Sequence, residues 1–187
     1  MDIGRRAFLR GQRLRGIPAV QCRPPWAVDE TVFTHACTRC GACVAVCPTG
    51  LLTRGAGGFP EVDFRQAHCT FCADCAHACA SQQQSASCQP IALAFSPDLP
   101  PWALRATVGT ACLPHQGVLC RSCEDHCKEG AIRFSLLRGN PAQPEVTESQ
   151  CTGCGECVAS CPAHAISMQK NLASQPAPSP FEERAAQ

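Results

Sequence analysis

The stretch of sequence that decides the fold is a run of four cysteines, and residues 37–48 read CTRCGACVAVCP. The same spacing, C-x2-C-x2-C-x3-C, recurs as CTFCADCAHACA at residues 69–80 and as CTGCGECVASCP at residues 151–162. A fourth group, within residues 112–127, keeps the last two gaps but has seven residues in the first gap. The chain therefore carries one cysteine motif four times, once in a widened form.

Each group has four cysteines, which is the number that one 4Fe-4S cluster needs, because each of its four irons takes one external thiolate. This run is the bacterial signature for such clusters, and its fourth cysteine ligates the neighbouring cluster when two are present. The sequence therefore predicts four 4Fe-4S clusters, of which the one involving Cys112 departs most from the regular spacing. The first pair is predicted to be held by Cys37, Cys40, Cys43 and Cys79, and by Cys69, Cys72, Cys75 and Cys47. The second pair is predicted to be held by Cys112, Cys120, Cys123 and Cys161, and by Cys151, Cys154, Cys157 and Cys127.

Two other uses of closely spaced cysteines fit this pattern less well. A disulfide framework would require an oxidising compartment. Structural zinc is normally bound by two C-x2-C pairs, which would leave the third cysteine of each run unexplained. Cys22 and Cys88 remain outside the four groups, and we interpret both as thiols that bind no metal.

The composition supports a fold that depends on the bound metal. Cysteine accounts for 18 of the 187 residues, and the hydrophobic fraction of 45% includes these cysteines. The ordinary apolar core is therefore thin for two small domains. The net charge of +1 does not favour nucleic acid as a partner. The longest apolar stretches are about five residues, far below the ~20 that cross a bilayer, so we expect no membrane span.

The spacing of the runs indicates an internal duplication. The first two runs start 32 residues apart, the other two start 39 apart, and the two pairs are offset by 75 residues. We predict an α+β fold of two tandem modules, each resembling the bacterial two-cluster ferredoxin, with a basic N-terminal arm and a disordered C-terminal tail. The predicted boundaries are 1–28 for the arm, 29–80 for the first module, 81–102 for a linker, 103–168 for the second module and 169–187 for the tail.

Local signals place the secondary structure between the runs. Residues 51–64 indicate a strand, a glycine turn at 55–58 and a second strand, and the second module repeats this hairpin around 139–141. Residues 103–109 indicate an opening strand. Pro48 and Pro162 follow the last cysteine of their runs, where they suit the first turn of a helix.

The N-terminal residues are strongly basic. Residues 1–28 hold six Arg and one Asp, a net charge of +5, whereas the remainder holds ten basic and fourteen acidic residues, a net charge of −4. Arg5 and Arg6 resemble the pair in a twin-arginine export signal, but no apolar segment follows them. We therefore expect the arm to be retained in the cytoplasm, either as a short basic helix or as a docking arm for a partner.

Residues outside the cysteine groups carry a narrower resemblance. Arg5-Arg6 with Leu9, Arg23-Pro24-Pro25-Trp26, and the segment RGAGGFP at residues 54–60 resemble the NapF family. These are ferredoxin-type accessory proteins of periplasmic nitrate reductase systems. The resemblance implies a cytoplasmic protein that meets the molybdenum-containing catalytic subunit before its export and assists its maturation.

On this resemblance, Arg5, Arg6 and Trp26 are the candidate partner-binding residues, although Trp26 could equally pack on its own first module. The alternative function is a general electron-transfer polyferredoxin that feeds a reductase. The sequence has no H-E-x-x-H motif, phosphate loop or C-x3-C-x2-C radical motif, so we expect no enzymatic activity.

Overall fold

The computed structural model describes residues 22–83, 90–135 and 142–170 of the chain. Arg5, Arg6, the rest of the arm before residue 22, Cys88 and the predicted tail from residue 171 lie outside the described residues. Gln169 and Lys170, which the prediction assigned to the disordered tail, are instead the last two residues of a paired strand.

The described residues form short helices and three small antiparallel sheets, as expected for an α+β fold. The helices are α1 (Glu30–Ala36), α2 (Ala42–Ala45), α3 (Asp74–Gln83), α4 (Ser122–Asp125) and α5 (Glu156–Ala159). The strands are β1 (Leu52–Arg54), β2 (Pro60–Val62), β3 (Leu104–Val108), β4 (Ile132–Ser135), β5 (Gln143–Val146) and β6 (Ile166–Lys170). Each sheet has two strands, paired β1 with β2, β3 with β6, and β4 with β5.

The predicted hairpins and the predicted opening strand are present. β1 and β2 pair across a glycine-rich turn in which Gly57 has a φ of 66°, a left-handed conformation that favours glycine. β4 and β5 form the corresponding hairpin of the second module. The opening strand β3 pairs with β6, so that Leu104 faces Lys170 and Val108 faces Ile166. This last sheet brings the two ends of the second module together.

The predicted limits of the first module, residues 29 and 80, leave out two segments that the structure packs onto it. Ala27 and Leu93 form an antiparallel bridge, and the backbone N–H of Val28 donates to the carbonyl of Ala92 at 3.2 Å. Ala92 and Leu93 are almost fully buried. The polar, proline-rich composition of 81–102 predicts a linker, but the apolar run at residues 91–95 within it supplies the residues that pack on the first module.

The structure also corrects the prediction of helices opened by Pro48 and Pro162. Both prolines lie in turns that follow the last cysteine, whereas the helical turns α2 and α5 precede it. The turn after Cys47 closes when the N–H of Gly50 donates to the carbonyl of Cys47 at 3.2 Å. Gly50 then adopts a φ of 70°, which prevents a right-handed helix from continuing.

The two modules share a core. Leu51 and Phe64 of the first module lie in one buried cluster with Leu104, Ile132 and Ile166 of the second. The contact is also made by the backbone, because the N–H of Cys69 donates to the carbonyl of Cys154 at 2.8 Å. Across the described ranges, the structure contains no helix with the length and apolar character of a membrane span.

Candidate metal centres

Four cavities in the described residues are each lined by four cysteines. Each is partly open to solvent, and the space within it, including that open part, is between about 310 and 390 Å³. The first cavity is lined by Cys37, Cys40, Cys43 and Cys79, and the second by Cys47, Cys69, Cys72 and Cys75. The third is lined by Cys127, Cys151, Cys154 and Cys157, and the fourth by Cys112, Cys120, Cys123 and Cys161. The structure thus brings together the four sets that the spacing predicts, with the last cysteine of each run beside the neighbouring run.

The donor set of each cavity suits an iron-sulfur cluster. All described cysteines are free thiols. Cysteine thiolates are soft ligands that favour iron-sulfur clusters, Cu(I) and zinc. Within the described ranges, no three His, Cys, Asp or Glu side chains are arranged to hold a single metal ion. The thiols line the walls of four cavities, and each set of four could hold one 4Fe-4S cluster.

The three regular cysteine runs share a loop conformation that their spacing alone does not reveal. The residues on either side of the second cysteine have positive φ in every case. These pairs are Arg39 and Gly41, Phe71 and Ala73, and Gly153 and Gly155, with φ between 56° and 81°. Alternation of left-handed and right-handed residues forms concave backbone nests that bind anions. The loops are therefore suited to surround the negatively charged sulfurs of a cluster with backbone N–H groups.

The three glycines of these loops leave room for neighbouring side chains, and a Cβ atom on Gly153 would lie 2.6 Å from Nε1 of Trp102. A Cβ atom on Gly41 would overlap the guanidinium of Arg54, and one on Gly155 would overlap the ring of Phe64. Arg54 also donates from Nη2 to the carbonyl of Cys40 at 3.2 Å. Arg54 and Phe64 hold their loops in place from outside the cysteine runs. The cysteine pattern did not indicate this role. For Arg54 a signal exists, because it lies on β1, the strand that follows the C-x-x-C-G sequence at residues 37–41. Phe64 packs on a loop of the other module, and no local sequence signal marks it.

Apolar residues cover the cavities. Leu51 and Leu52 line the second cavity, Ala131 and Ile132 the third, and Ile166 the fourth. In three groups these apolar residues stand four and five positions after the last cysteine. In the first cavity Leu93 takes this place, although it lies fourteen positions after Cys79.

Burial controls the protonation of the most enclosed thiols. Burial, together with the nearby thiolates of the same quartets, raises the pKa of Cys43 and Cys123 to about 11. Burial and neighbouring thiolates likewise raise the pKa of Cys75 and Cys157 to about 12. These four thiols are protonated near neutral pH without metal, so that metal binding must displace their protons.

The four cavities form a series of neighbours, which we call a row. The charge of Cys43 in the first cavity acts on Cys75 in the second, and that of Cys123 in the fourth acts on Cys157 in the third. The hydrogen bond from Cys69 to the carbonyl of Cys154 connects the second and third cavities. The order along the row is first, second, third, fourth.

The remaining candidate residues lie away from a free surface or outside the described ranges. Trp26 is buried, with 9% of its surface exposed, and its ring contacts the edge of Phe95 at a centroid distance of 5.1 Å. Of the two alternatives predicted for Trp26, the structure therefore shows the packing of its side chain on the first module. Cys22 is buried in the shared core and lines none of the four cavities.

Comparison with known proteins identifies the domain type. Residues 36–82 and 118–165 match the 4Fe-4S dicluster domain. The second match begins after Cys112, where the spacing is irregular. No solved structure matches the chain. Two dicluster domains and the cysteine content establish 4Fe-4S clusters as the cofactor, and four such clusters fit.

Relatives in other organisms extend the similarity over nearly the whole chain. The ferredoxin-type protein NapF of Escherichia coli strain K12 is 41% identical, with 90% of this chain and 96% of the relative covered. The NapF protein of Haemophilus influenzae is 42% identical over 89% of this chain and 94% of the relative. The ferredoxin-type protein NapG of Escherichia coli strain K12 is 35% identical over 76% of this chain and 66% of the relative. Identity at this level across both cysteine-rich halves shows that the chain belongs to the NapF family of ferredoxin-type proteins.

Proposed function

We propose that this chain is a cytoplasmic accessory protein that assists maturation of the catalytic molybdenum subunit of periplasmic nitrate reductase before that subunit is exported. The observation that carries the proposal is the row of four cysteine-lined cavities in a chain of the NapF family. A row of this kind gives one small protein the capacity to bring electrons or iron-sulfur chemistry to a partner. Under this proposal, the chain is an accessory protein and not an enzyme.

The sixteen cysteines of the four cavities are the ligands on this proposal. A bound 4Fe-4S cluster supplies one-electron chemistry at a potential set by its surroundings. The left-handed residues of the ligand loops orient backbone N–H groups, and Leu51, Leu93, Ile132 and Ile166 exclude water from the four cavities. Both contributions affect reduction potential, because hydrogen bonds to sulfur and solvent exposure are two of its main determinants.

A general electron-transfer polyferredoxin is the second candidate. The hydrogen bond from the N–H of Cys69 to the carbonyl of Cys154 favours it, because this contact makes the row continuous across the two modules. An uninterrupted row is what an electron carrier requires to connect a donor at one end with a reductase at the other. The cysteine groups are the same under both functions, so the partner distinguishes them.

Capture of the partner tests the proposal. The full-length holoprotein carries an affinity tag and is isolated anaerobically from the cytosol of its own host grown on nitrate. We expect the catalytic subunit to be recovered in its precursor form, with the export signal still attached. Recovery of soluble oxidoreductases without that precursor would contradict the maturation role and support the electron carrier.

A charge-reversal variant provides the control for this capture. Arg5→Glu with Arg6→Glu alters the basic arm outside the cysteine groups, and Arg65→Glu alters an arginine of the first module whose side chain is 82% exposed. We expect the arm variant to capture less of the precursor and the Arg65 variant to capture as much as the unmodified chain. Equal capture by all three proteins would show that Arg5 and Arg6 do not contribute to binding of the precursor.

A further inference from the structure

Trp26 presents an unsatisfied hydrogen-bond donor beside one of the cysteine-lined cavities. Trp26 is one of the residues that line the second cavity, together with Cys47, Cys69, Cys72 and Cys75. Only 9% of the residue is exposed. Its indole Nε1 is buried and has no hydrogen-bond partner among the described residues. A buried N–H without a partner destabilises the fold, so its retention at this position requires an explanation.

The backbone holds this indole in place at a further cost. Trp26 has a φ of 58°, in the left-handed region that a bulky side chain rarely adopts. Two hydrogen bonds fix it there: its own N–H donates to the carbonyl of Pro101 at 2.6 Å, and its carbonyl accepts from the N–H of Ala94 at 2.8 Å. The edge contact with Phe95 restrains the ring. Strained residues of this kind concentrate at functional sites, where the surrounding structure determines their conformation.

We infer that the indole N–H of Trp26 donates a hydrogen bond to a sulfur atom of the 4Fe-4S cluster held in the second cavity. This inference rests on the ligand assignment of the proposed function. The cluster sulfurs carry negative charge and are the acceptors that an otherwise orphaned donor on this cavity wall would meet. The bond strengthens as a cluster gains an electron, because an acceptor with more negative charge is a better acceptor. Trp26 therefore raises the reduction potential of this cluster relative to a site without the donor.

The second tryptophan of the chain provides a matched control. The Nε1 of Trp102 is also buried without a hydrogen-bond partner in the described part of the chain. Its ring packs against Phe64 and Phe71 at centroid distances of 5.7 and 6.0 Å, and it lines none of the four cavities. Replacing Trp102 also removes a buried indole N–H, but that N–H lies against Gly153 in the ligand loop of the third cavity. The Trp102 variant therefore leaves the donor beside the second cavity in place.

Redox titration of the two variants tests the inference. Trp26→Phe and Trp102→Phe holoproteins are titrated anaerobically and followed by electron paramagnetic resonance, with iron measured on each preparation. We expect Trp26→Phe to retain all its iron and to shift one reduction step to a more negative potential. The Trp102→Phe variant should leave that same step in place. Unchanged potentials in Trp26→Phe with full iron would overturn the inference.

Nuclear magnetic resonance decides the case in which Trp26→Phe loses its cluster. The chain has two tryptophans, so Trp102→Phe labelled with ¹⁵N-tryptophan retains a single indole signal, that of Trp26. An indole signal that shifts strongly on reduction places the N–H on the cluster, whereas a signal at its ordinary position in both oxidation states overturns the inference. A separate experiment shows whether the assignment of the cysteine ligands is itself wrong. If it is wrong, the Cys69→Ala variant will keep the full iron content of the unmodified chain.

Discussion

At the scale of single residues, the ligand loops depend on backbone conformations that side chains disfavour. Arg39, Phe71 and Ala73 adopt left-handed φ angles that glycine adopts without penalty at the equivalent positions of other loops. Each costs about 1–2 kcal/mol relative to a right-handed conformation. The loops tolerate this cost because the four cysteines that line each cavity fix the path of the backbone around it. In the absence of that constraint the strained residues should relax first.

A single methyl group tests how tightly these loops are fitted. Gly155→Ala adds a Cβ at a φ of 81° and drives it into the ring of Phe64, which is itself buried against Trp102. We expect it to lower the free energy of unfolding by about 3 kcal/mol, from the left-handed conformation and the overpacking together. Unfolding of the holoprotein in denaturant, followed anaerobically by circular dichroism and visible absorption, measures this loss.

Gly50→Ala is the matched control for the Gly155 variant. Gly50 has a comparable φ of 70° but no atoms within 4 Å of an added Cβ. It should lose only the backbone contribution of about 1 kcal/mol. Equal losses in the two variants would show that the Phe64 ring yields and that the loop is not closely fitted.

At the scale of elements, the features predicted from the sequence are those that cysteine spacing and turn residues determine. The hairpins β1–β2 and β4–β5 lie on either side of the predicted glycine-containing turns, and β3 lies within the predicted opening strand. The turn after Pro48 was not predictable from proline alone, because Gly50 two residues later decides whether a helix continues. The pairing of Ala27 with Leu93 was equally hidden, since a single antiparallel bridge has no periodic sequence signal.

The exchange of the fourth cysteine between neighbouring runs gives a non-additive prediction. Cys79 on α3 lines the first cavity, whereas Cys47 lines the second. Cys37→Ala with Cys40→Ala should remove one cluster and lower the iron content from about sixteen to about twelve atoms per chain. Adding Cys79→Ala should cost no further iron, because its cluster is already lost. Adding Cys47→Ala should remove a second cluster and lower the iron content to about eight atoms per chain.

Iron and sulfide analysis after anaerobic reconstitution measures this difference. The two triple variants differ only in which fourth cysteine is replaced, so each serves as the control for the other. If Cys79→Ala lowered the iron further and Cys47→Ala did not, each run would hold its own cluster and the exchange would be wrong.

At the scale of the whole molecule, bound metal should supply much of the folding free energy. The buried thiols of Cys43, Cys75, Cys123 and Cys157 occupy positions that apolar residues fill in an ordinary core. Metal binding to such a site is folding free energy, because the unfolded chain has no preformed site. We expect chelation of iron under reducing conditions to abolish cooperative thermal unfolding, measured by circular dichroism. A cooperative transition that survived complete iron removal would contradict this.

The pH dependence of reconstitution follows from the same thiols. Their pKa values of about 11 to 12 lie above neutral pH, so the metal-free thiols are protonated and must release protons on binding. Raising the pH favours proton release, and reconstitution should therefore be more complete at pH 8 than at pH 6. Iron bound per chain at fixed iron and sulfide concentration checks the direction, and more iron at pH 6 would contradict it.

The shared core also decides how the basic arm can be tested. The prediction assigned residues 1–28 to the arm, but Cys22, Pro24, Pro25 and Trp26 are buried in the first module or the shared core. A deletion of residues 1–28 would therefore expose the core and the second cavity, and would confound docking with folding. Removing residues 1–21 deletes five Arg and one Asp, a net charge of +4, and leaves the buried segment intact.

We expect the chain without residues 1–21 to retain its iron content and visible spectrum but to capture less of the catalytic subunit. The chain without residues 1–28 should lose iron as well, because Trp26 and Pro25 line the second cavity. Capture by the intact chain should weaken as salt is raised towards 1 M, since the Debye length then falls to about 3 Å. If the chain without residues 1–21 captures the catalytic subunit as well as the intact chain does, the docking surface lies on the modules, and the charge of the arm serves another purpose.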